Sequence, residues 1–295
     1  MVPRVSLLVT GGSGQVARAL AARGARVVGR PAFDFDRMET VEAIFKAAPP
    51  SLVVNAAAYT GVDAAEGDEA TALRANRDGP AALARLCAEA GIPLVHLSTD
   101  YVFDGSKGAP YVESDPVAPL GAYGRSKLAG EQAVLEACPR AIVLRTSWIY
   151  AATGRNFVRT MLGSAANTRR VRVVADQQGN PTAADDLADV ILAIVGRIER
   201  DGWRGEFAGI FHSAGNGAVT WHGFALAVFA EAARHELASP AVEAITTEDW
   251  PTPVRRPPDS RLDCTKLNAV FGLRLPPWKE SLARVVDAIF ATREK

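Results

Sequence analysis

The segment Thr10–Ala17, with the sequence TGGSGQVA, constrains the fold more than any other part of the chain. It comes at the end of a continuous apolar run, Val5–Thr10, which is typical of a strand buried on both faces. A helix is predicted over Gln15–Arg23. Gly11 and Gly14 would allow a tight turn and bring the backbone close to a pyrophosphate, which binds at the N-terminal end of the following helix. The segment therefore predicts a dinucleotide-binding turn.

Strands and helices alternate along the rest of the first half. Further strands are predicted at Arg26–Gly29, Leu52–Asn55, Leu94–Ser98, Ala141–Thr146 and Gly209–Ser213, and helices at Met38–Ala47 (capped by Asp36), 68–90, Tyr123–Ala137 and Ala184–Ile198. Such alternation requires right-handed crossovers and produces a parallel sheet with helices on both faces. We expect an α/β fold with a doubly wound, Rossmann-type parallel sheet, in which ligands bind beyond the carboxyl ends of the strands.

The regular alternation ends after Trp148. Helices are predicted near Asn156–Ala165, Trp221–Arg234 and from Lys279, with a strand at Val171–Ala175 and a Pro/Arg-rich loop at Trp250–Pro258. The expected division is a dinucleotide-binding domain over residues 1–150, to which about 183–217 return. Residues 151–182 and 218–295 would form a smaller, interleaved C-terminal substrate-binding lobe.

Composition narrows the choice of partners and compartment. Lys+Arg and Asp+Glu are equal at 33 each, so no global field attracts nucleic acid or a membrane surface, and no apolar run is long enough to span a bilayer. Cys87, Cys138 and Cys264 are isolated and odd in number, which favours a reducing, cytoplasmic compartment without disulfides or a thiolate metal site. The histidines show no ligand spacing, so we expect no metal. A small molecule is the expected partner.

The residue after the second strand bears on the choice of cofactor. An acidic residue at this position would hold a ribose 2′-hydroxyl, but Arg30 stands there instead. A guanidinium in that place suits a 2′-phosphate and favours NADPH. The alternative is a solvated surface arginine.

A second group of polar residues follows the fourth strand. Ser98-Thr99-Asp100 ends that strand, and Tyr123 and Lys127 lie four residues apart near the start of a predicted helix, which places them on one face. The Lys127 ammonium is expected to lower the pKa of Tyr123 toward working pH, and Tyr123 could then protonate a carbonyl oxygen as hydride reaches its carbon. The Thr99 hydroxyl could polarise the same oxygen, and Lys127 could bind the cofactor ribose.

Together these motifs resemble the dTDP-4-dehydrorhamnose reductases, a family of the extended short-chain dehydrogenase/reductase superfamily. The similarity extends over nearly the whole chain. Its motifs are the glycine turn, Val54–Thr60 (VNAAAYT), Ser98–Gly105 (STDYVFDG), Tyr123–Glu131, Leu144–Tyr150 (LRTSWIY), Asn156-Phe157, Asp176-Gln177, Pro181-Thr182, Pro251–Pro257 (PTPVRRP) and Ser260–Leu262.

The resemblance implies NAD(P)H-dependent reduction of the 4-keto group of dTDP-4-dehydro-L-rhamnose, with NADPH as the cofactor and NADH also accepted. It implies the catalytic trio Thr99, Tyr123 and Lys127. The cofactor contacts expected with it are Gly11, Gly14, Gln15, Val16, Arg30, Asp34, Phe35, Ala56, Ala57, Ala58, Tyr59 and Lys127. The nucleotide-sugar contacts expected with it are Asp100, Tyr101, Trp148 and Arg256.

The chain departs from the family pattern at two positions. Some relatives use clustered glutamates at a metal-linked dimer contact, but Ala19 and Asp185 stand where two of these would align. This departure again argues against a metal, and a homodimer stays open. Ala17 replaces a glycine of the turn motif, which packing should tolerate.

Several alternatives remain open from the sequence. Trp148 could be a core residue, Asp34 a loop residue or helix cap, and Arg255 and Arg256 could be solvated. The chain could instead be a sugar-nucleotide dehydratase, another nucleotide-sugar 4-ketoreductase or an epimerase of the superfamily. Dehydratases carry Asp-Glu after the threonine, whereas here Asp100 is followed by Tyr101. A non-catalytic NADP-binding subunit, like the β subunit of methionine adenosyltransferase, is a third class.

Overall fold

A computed structural model describes residues 6–165 and 168–292 of the chain. Elements in the first half are β1 Leu7–Thr10, α1 Gln15–Ala22, β2 Arg26–Val28, α2 Met38–Ala47, β3 Leu52–Asn55, α3 Val62–Gly67, α4 Glu69–Leu73, α5 Gly79–Glu89, β4 Leu94–Thr99, α6 Ala122–Ala137, β5 Ala141–Thr146 and β6 Ile149–Tyr150. Those in the second half are α7 Phe157–Ala165, β7 Arg170–Val174, β8 Gln178–Gly179, β9 Thr182–Ala183, α8 Ala184–Asp201, β10 Gly209–His212, β11 Val219–Thr220, α9 Trp221–Ala233, β12 Ala241–Ile245, α10 Thr265–Phe271 and α11 Trp278–Ala291.

The central sheet has six strands in the order β10-β5-β4-β3-β1-β2, and neighbouring strands are parallel. The chain moves outward from β1 in one direction to β2 and in the other to β3, so the topological switch lies between β1 and β3. This confirms the predicted doubly wound sheet, and the strand predicted at Gly209–Ser213 is its sixth strand, β10. The carboxyl ends of β1, β3, β4 and β5 meet at one edge.

Both faces of the sheet are covered, which is why most residues of its strands are apolar. One face packs against α1, α8 and α10, with Leu20, Ile191 and Leu267 in its core. The other face packs against α5 and α6, with Leu83 and Val134 in its core. A strand buried on both faces cannot alternate apolar with polar residues, which explains the continuous apolar runs of the sequence.

A separate apolar core holds the C-terminal elements together. It joins α7, α9 and α11 through side chains that include Leu162, Phe224, Val228 and Val286. Two short strand pairs, β6 with β9 and β8 with β11, are separate from the central sheet. Trp148, between β5 and β6, directly follows the central sheet and packs against this C-terminal core.

The structure corrects two local predictions and adds a strand that was not predicted. The helix expected over 68–90 is divided into α4, a π-helical turn at Arg74–Asp78, and α5. Asp36 does not cap α2: the N-cap position is Arg37, without a side-chain cap, and Asp36 pairs with Arg74 at 3.5 Å. The strand β12 was not predicted; it pairs with β7 in parallel. The first residue of the predicted strand Val5–Thr10 lies outside the described residues.

Candidate active site

One large cavity of about 840 Å³ opens at the carboxyl edge of the sheet. Its walls contain nearly all of the predicted site residues: Gly11, Gly14, Gln15, Val16, Arg30, Asp34, Phe35, Ala56, Ala57, Ala58, Tyr59, Thr99, Asp100, Tyr123, Lys127 and Trp148. The volume is in the range of pockets that hold cofactor-sized ligands. Residues predicted from separate motifs thus come together in one space.

The turn between β1 and α1 forms one end of this cavity. Gly11 and Gly12 have positive φ angles of 107° and 52°, which favour glycine. A Cβ on Gly11 would lie 2.7 Å from the Ala56 carbonyl oxygen, so the site requires a bare backbone there. The N-cap of α1 is Gly14, and no side chain caps its amides. Free amides and the positive end of the helix dipole suit a phosphate group.

A buried hydrogen-bond network connects the strands next to the glycine turn. The Thr10 hydroxyl donates to Asn55 Oδ1 at 2.6 Å, and Asn55 Nδ2 lies 2.9 Å from His96 Nδ1. The Ala57 amide donates to the oxygens of both Thr10 and Asn55, at 3.2 Å each. Burial, and then the Lys127 charge, hold the pKa of His96 well below its usual value, so His96 is a neutral structural residue. Sequence reasoning did not find this network, because it joins three strands.

The loop after β2 forms the cavity wall on the outer side. Arg30 is exposed and lines the cavity, as the 2′-phosphate hypothesis requires. Asp34 also lines the cavity, and its Oδ1 accepts the Asp36 amide at 3.1 Å, so it is a loop residue rather than a helix cap. Phe35 packs against Gly79, where a Cβ would lie 2.2 Å from the ring.

Thr99, Tyr123 and Lys127 lie at the other end of the cavity, where β4 ends and α6 begins. Lys127 is buried, and its Nζ donates to the Leu97 carbonyl at 2.6 Å. Burial lowers the pKa of Lys127 to about 8, while the Glu131 carboxylate opposes that shift. Helix α6 brings Tyr123 and Lys127 to the same wall, as the spacing predicted.

The pKa of Tyr123 corrects one expectation. Burial raises it to about 12, the Thr99 hydroxyl lowers it and the charge of Asp100 raises it further. The fall predicted from the neighbouring ammonium is therefore wrong, because desolvation of the buried phenolate raises the pKa of Tyr123 instead. Tyr123 keeps its proton at neutral pH. A neutral phenol is the form that can donate a proton.

Asp100 is the other titratable group at this end. It is only 2% exposed, and its Oδ1 accepts the Thr99 hydroxyl at 3.1 Å. Burial raises the pKa of Asp100 to about 7, although the Ser260 and Thr99 hydroxyls partly oppose this. The cavity thus holds a carboxyl group that titrates near neutrality.

Tyr101 and Arg256 lie beside the large cavity rather than in its described walls. Tyr101 packs edge-on against Tyr123, with 5.9 Å between the ring centroids, and lines a small neighbouring cavity. The Arg256 guanidinium pairs with Asp63 at 2.8 Å and also donates to the Val254 carbonyl. The structure therefore places Arg256 near Tyr101 but gives it a protein partner.

Two further clusters support α6 and were not predicted. The Asn76 side chain, in the π-helical turn, bonds the Tyr59 backbone and the Ser126 hydroxyl. Glu131 accepts two hydrogen bonds from Arg145 and one from Ser98, and these are buried side chains. The motif Ser126–Glu131 contained the signal, but the partners come from distant segments.

An arginine with two aspartate partners occupies the region where relatives were expected to carry metal-linked glutamates. Arg23 donates to the Ala19 carbonyl and pairs with Asp185 at 2.8 Å and Asp189 at 2.6 Å. Within residues 6–165 and 168–292, no cluster of three or more His, Cys, Asp or Glu side chains could hold a metal ion. Over the same ranges no helix has the length and apolarity needed to cross a membrane.

The strand order, the glycine turn at the switch point and the Thr99, Tyr123 and Lys127 set define a class: a Rossmann-type protein of the extended short-chain dehydrogenase/reductase superfamily. Comparison with known proteins narrows this class. The family model described as RmlD substrate binding domain matches residues 5–290. A dTDP-4-dehydrorhamnose reductase from Sinorhizobium fredii is 45% identical, with 96% of this chain and 97% of the relative covered.

Solved structures agree with this assignment. A dTDP-4-dehydrorhamnose reductase from Clostridium acetobutylicum superimposes with a TM-score of 0.88 at 33% identity, covering 96% of this chain and 99% of the other. The Bacillus anthracis dTDP-4-dehydrorhamnose reductase, solved in complex with NADP, has a TM-score of 0.86 at 30% identity, with coverage of 95% and 98%. This chain belongs to the dTDP-4-dehydrorhamnose reductase family.

Proposed function

We propose that this protein reduces the 4-keto group of dTDP-4-dehydro-L-rhamnose to the hydroxyl group of dTDP-L-rhamnose, with NADPH as hydride donor and NADH as a second donor. One observation carries the proposal: Tyr123, held neutral, lines the same cavity as the Gly11–Gly14 turn. A proton donor and a phosphate-binding turn in one space are what a carbonyl reductase needs.

The residues of the chain fit a dinucleotide at the turn end. The bare backbone at Gly11 and the uncapped amides of α1 would hold its pyrophosphate, and Arg30 its 2′-phosphate. Asp34, Phe35 and the segment Ala56–Tyr59 would form the walls around it. The bound nicotinamide would supply the hydride that becomes the new C–H bond at the sugar carbon.

The residues at the other end would complete the reaction. Tyr123 would donate its phenolic proton to the carbonyl oxygen, so that hydride and proton together convert C=O to CH–OH. The Thr99 hydroxyl would hydrogen-bond the same oxygen and polarise it. Lys127, one helical turn from Tyr123, would stabilise the phenolate left behind. Asp100 and Trp148 would contact the sugar.

Reduction is favoured over dehydration and over a purely regulatory role. Elimination across two sugar carbons needs an additional acid–base group after Asp100, but that position is Tyr101, which faces the small neighbouring cavity. A regulatory subunit has no need for a neutral tyrosine proton donor beside a nucleotide site.

We also propose that the chain divides as the sequence predicts, into a dinucleotide-binding domain (1–150 with 183–217) and a substrate lobe (151–182 and 218–295). The separate apolar core of α7, α9 and α11 supports this division. A cytoplasmic location is supported by the free state of Cys87, Cys138 and Cys264.

The deciding experiment is incubation of the purified protein with NADPH and dTDP-4-dehydro-L-rhamnose, followed by NMR identification of the product. We expect dTDP-L-rhamnose and stoichiometric oxidation of NADPH. A parallel incubation with dTDP-glucose should give no 4-keto-6-deoxy product. Absence of turnover with NADPH binding intact would favour the regulatory alternative, and dehydration of dTDP-glucose would favour the dehydratase alternative.

Arg256 offers a test of where the nucleotide sugar binds. Its pair with Asp63 is near the surface and is worth little, so a diphosphate could replace that carboxylate. Arg256→Ala should raise the KM for the nucleotide sugar about ten- to two-hundredfold and leave the KM for NADPH nearly unchanged. Arg255→Ala, an exposed arginine in the same loop, is the matched control. Equal effects on both ligands would remove Arg256 from the substrate site.

A further inference from the structure

Trp148 has an unusual backbone conformation. Its φ angle is +45°, in the left-handed region that bulky residues rarely adopt. The turn is fixed on both sides: the Trp148 carbonyl accepts the Thr182 amide at 3.2 Å, and the Ser147 hydroxyl donates to the Asn180 carbonyl at 2.7 Å. Such a conformation persists only where the surroundings impose it, and here it directs a half-buried indole to the cavity wall.

Trp221 is the main side chain that packs on this indole. The two rings are stacked with centroids 3.4 Å apart and an interplanar angle of 5°. Isolated aromatic pairs prefer offset or edge-on arrangements, so a face-to-face pair is set by the packing around it. Gly179 adds a second restraint, since a Cβ there would lie 2.7 Å from the Trp148 ring.

Trp221 is itself firmly held. It is the first residue of α9, where the Thr220 hydroxyl caps the helix by accepting the Gly223 amide at 3.0 Å. Its own amide donates to the Gln177 carbonyl at 3.3 Å, and the Phe157 ring packs against it at 4.7 Å. Trp221 is not among the cavity-lining residues in the described part of the chain.

We propose that Trp221 is a positioning residue for the sugar subsite: by stacking on Trp148 it holds that indole, in its left-handed turn, against the cavity where the sugar binds. The inference rests on the proposed function, because it takes Trp148 to contact the nucleotide sugar. The C-terminal elements thereby shape a subsite whose contacting residue comes from the end of the central sheet. Trp221 itself does not touch the sugar.

The first measurement is spectroscopic and needs no substrate. Two indoles stacked this closely should couple, giving an exciton couplet in the far-ultraviolet circular dichroism spectrum. The couplet should disappear in Trp221→Leu and in Trp148→Phe. It should remain in Trp203→Leu, a matched control at a half-buried tryptophan that packs on Phe207 away from the cavity.

The second measurement is the kinetics of the same variants. We expect Trp221→Leu to raise the KM for dTDP-4-dehydro-L-rhamnose about tenfold, with the KM for NADPH unchanged, and Trp221→Phe to recover part of the loss. Gly179→Ala should produce the same selective rise by displacing Trp148 directly, and it serves as the test if Trp221→Leu fails to fold.

The outcomes separate the two proposals. If the wild-type protein reduces the substrate and Trp221→Leu loses the couplet but keeps the wild-type KM, the positioning role is wrong while the proposed function stands. The same conclusion follows if the KM values for both ligands rise equally, since a general loss of structure would explain that. If the wild-type protein shows no turnover, the proposed function itself fails, whatever the couplet shows.

Discussion

The two ends of the cavity are lined by different kinds of groups. At the turn end the wall is mostly backbone, and Gly11 approaches Ala56 so closely that a single methyl group would collide with it. At the catalytic end the wall is made of buried side chains, and Asp100, Tyr123 and Lys127 all have pKa values displaced by burial. Close backbone packing determines the properties of the turn end, and desolvation of ionisable side chains determines those of the catalytic end.

Because of this difference, we expect substitutions and pH to affect the two ends of the cavity differently. A backbone site should be sensitive to any added side-chain volume and respond little to pH, because backbone amides do not titrate. A site of buried ionisable groups should tolerate substitutions that keep the shape of a side chain. Its activity should change with pH and with the loss of a single proton donor. The predictions below test this contrast.

The largest effect is expected at the catalytic end. Tyr123→Phe keeps the ring and removes only the hydroxyl that donates the proton, and such general acid catalysis is worth about 10²–10⁴-fold in rate. We expect kcat to fall by that order, with the dissociation constant of NADPH nearly unchanged, as measured by single-turnover kinetics and fluorescence titration. A variant with most of its activity intact would mean that the proton comes from elsewhere.

The next effect concerns stability against pH. Because burial raises the pKa of Asp100 to about 7, the folded protein favours the protonated carboxyl more than the unfolded chain does. Its contribution is therefore complete below about pH 4 and is lost as pH rises through about 7; it amounts to at most about 4 kcal/mol. Asp100→Asn should flatten this part of the curve of unfolding free energy against pH.

The control for Asp100 is Asp36→Asn, the same substitution at an exposed carboxylate. It should leave the shape of the pH curve as in the wild type. If Asp100→Asn and the wild type have parallel curves between pH 4 and pH 8, the buried carboxyl is already ionised in the folded protein, and the contrast between the two ends is weaker than described.

A smaller effect is expected from added volume at the turn end. Gly11→Ala places a methyl group 2.7 Å from the Ala56 carbonyl in a backbone region that disfavours side chains. Strain of roughly 1–3 kcal/mol corresponds to about a 5- to 150-fold loss of NADPH affinity if it displaces the turn. Gly24→Ala is the matched control, since Gly24 also has positive φ but no atom near its Cβ.

Both glycine variants should lose some stability, but only Gly11→Ala should weaken cofactor binding, as measured by calorimetric titration at two pH values. The loss should be the same at both. A pH-dependent loss, or equal binding by the two variants, would contradict a turn end built by shape alone.

The smallest effect is expected for Arg30. This exposed residue lines the cavity, and solvent screens its charge, so Arg30→Ala should weaken NADPH about two- to fivefold and leave NADH almost unaffected. Arg26→Ala, another exposed arginine of the same strand and loop, should affect neither cofactor. A wild-type protein with the higher kcat/KM for NADH would show that the interpretation of Arg30 is wrong.

The sequence by itself determined the sheet, the turn and the pairing of Tyr123 with Lys127. Each of these features depends on residues that are close together in the sequence. The patterns are an apolar run before glycines, strands alternating with helices, and a spacing of one helical turn. Local steric and solvation preferences are enough to encode such features. The site residues came together because parallel strands end at one edge of the sheet, so their order along the chain already implied their proximity.

The tertiary structure decided what depends on surroundings from distant parts of the chain. Burial, rather than the adjacent lysine, sets the pKa of Tyr123, and no spacing in the sequence reveals how much water a fold excludes. Asp63 forms an ion pair with Arg256 from a distant part of the sequence, and Trp221 stacks on Trp148 although the two lie far apart in the chain. Desolvation and packing arise only when remote segments meet, so the sequence identified Tyr123, Arg256 and Trp148 but neither their burial nor their partners Asp63 and Trp221.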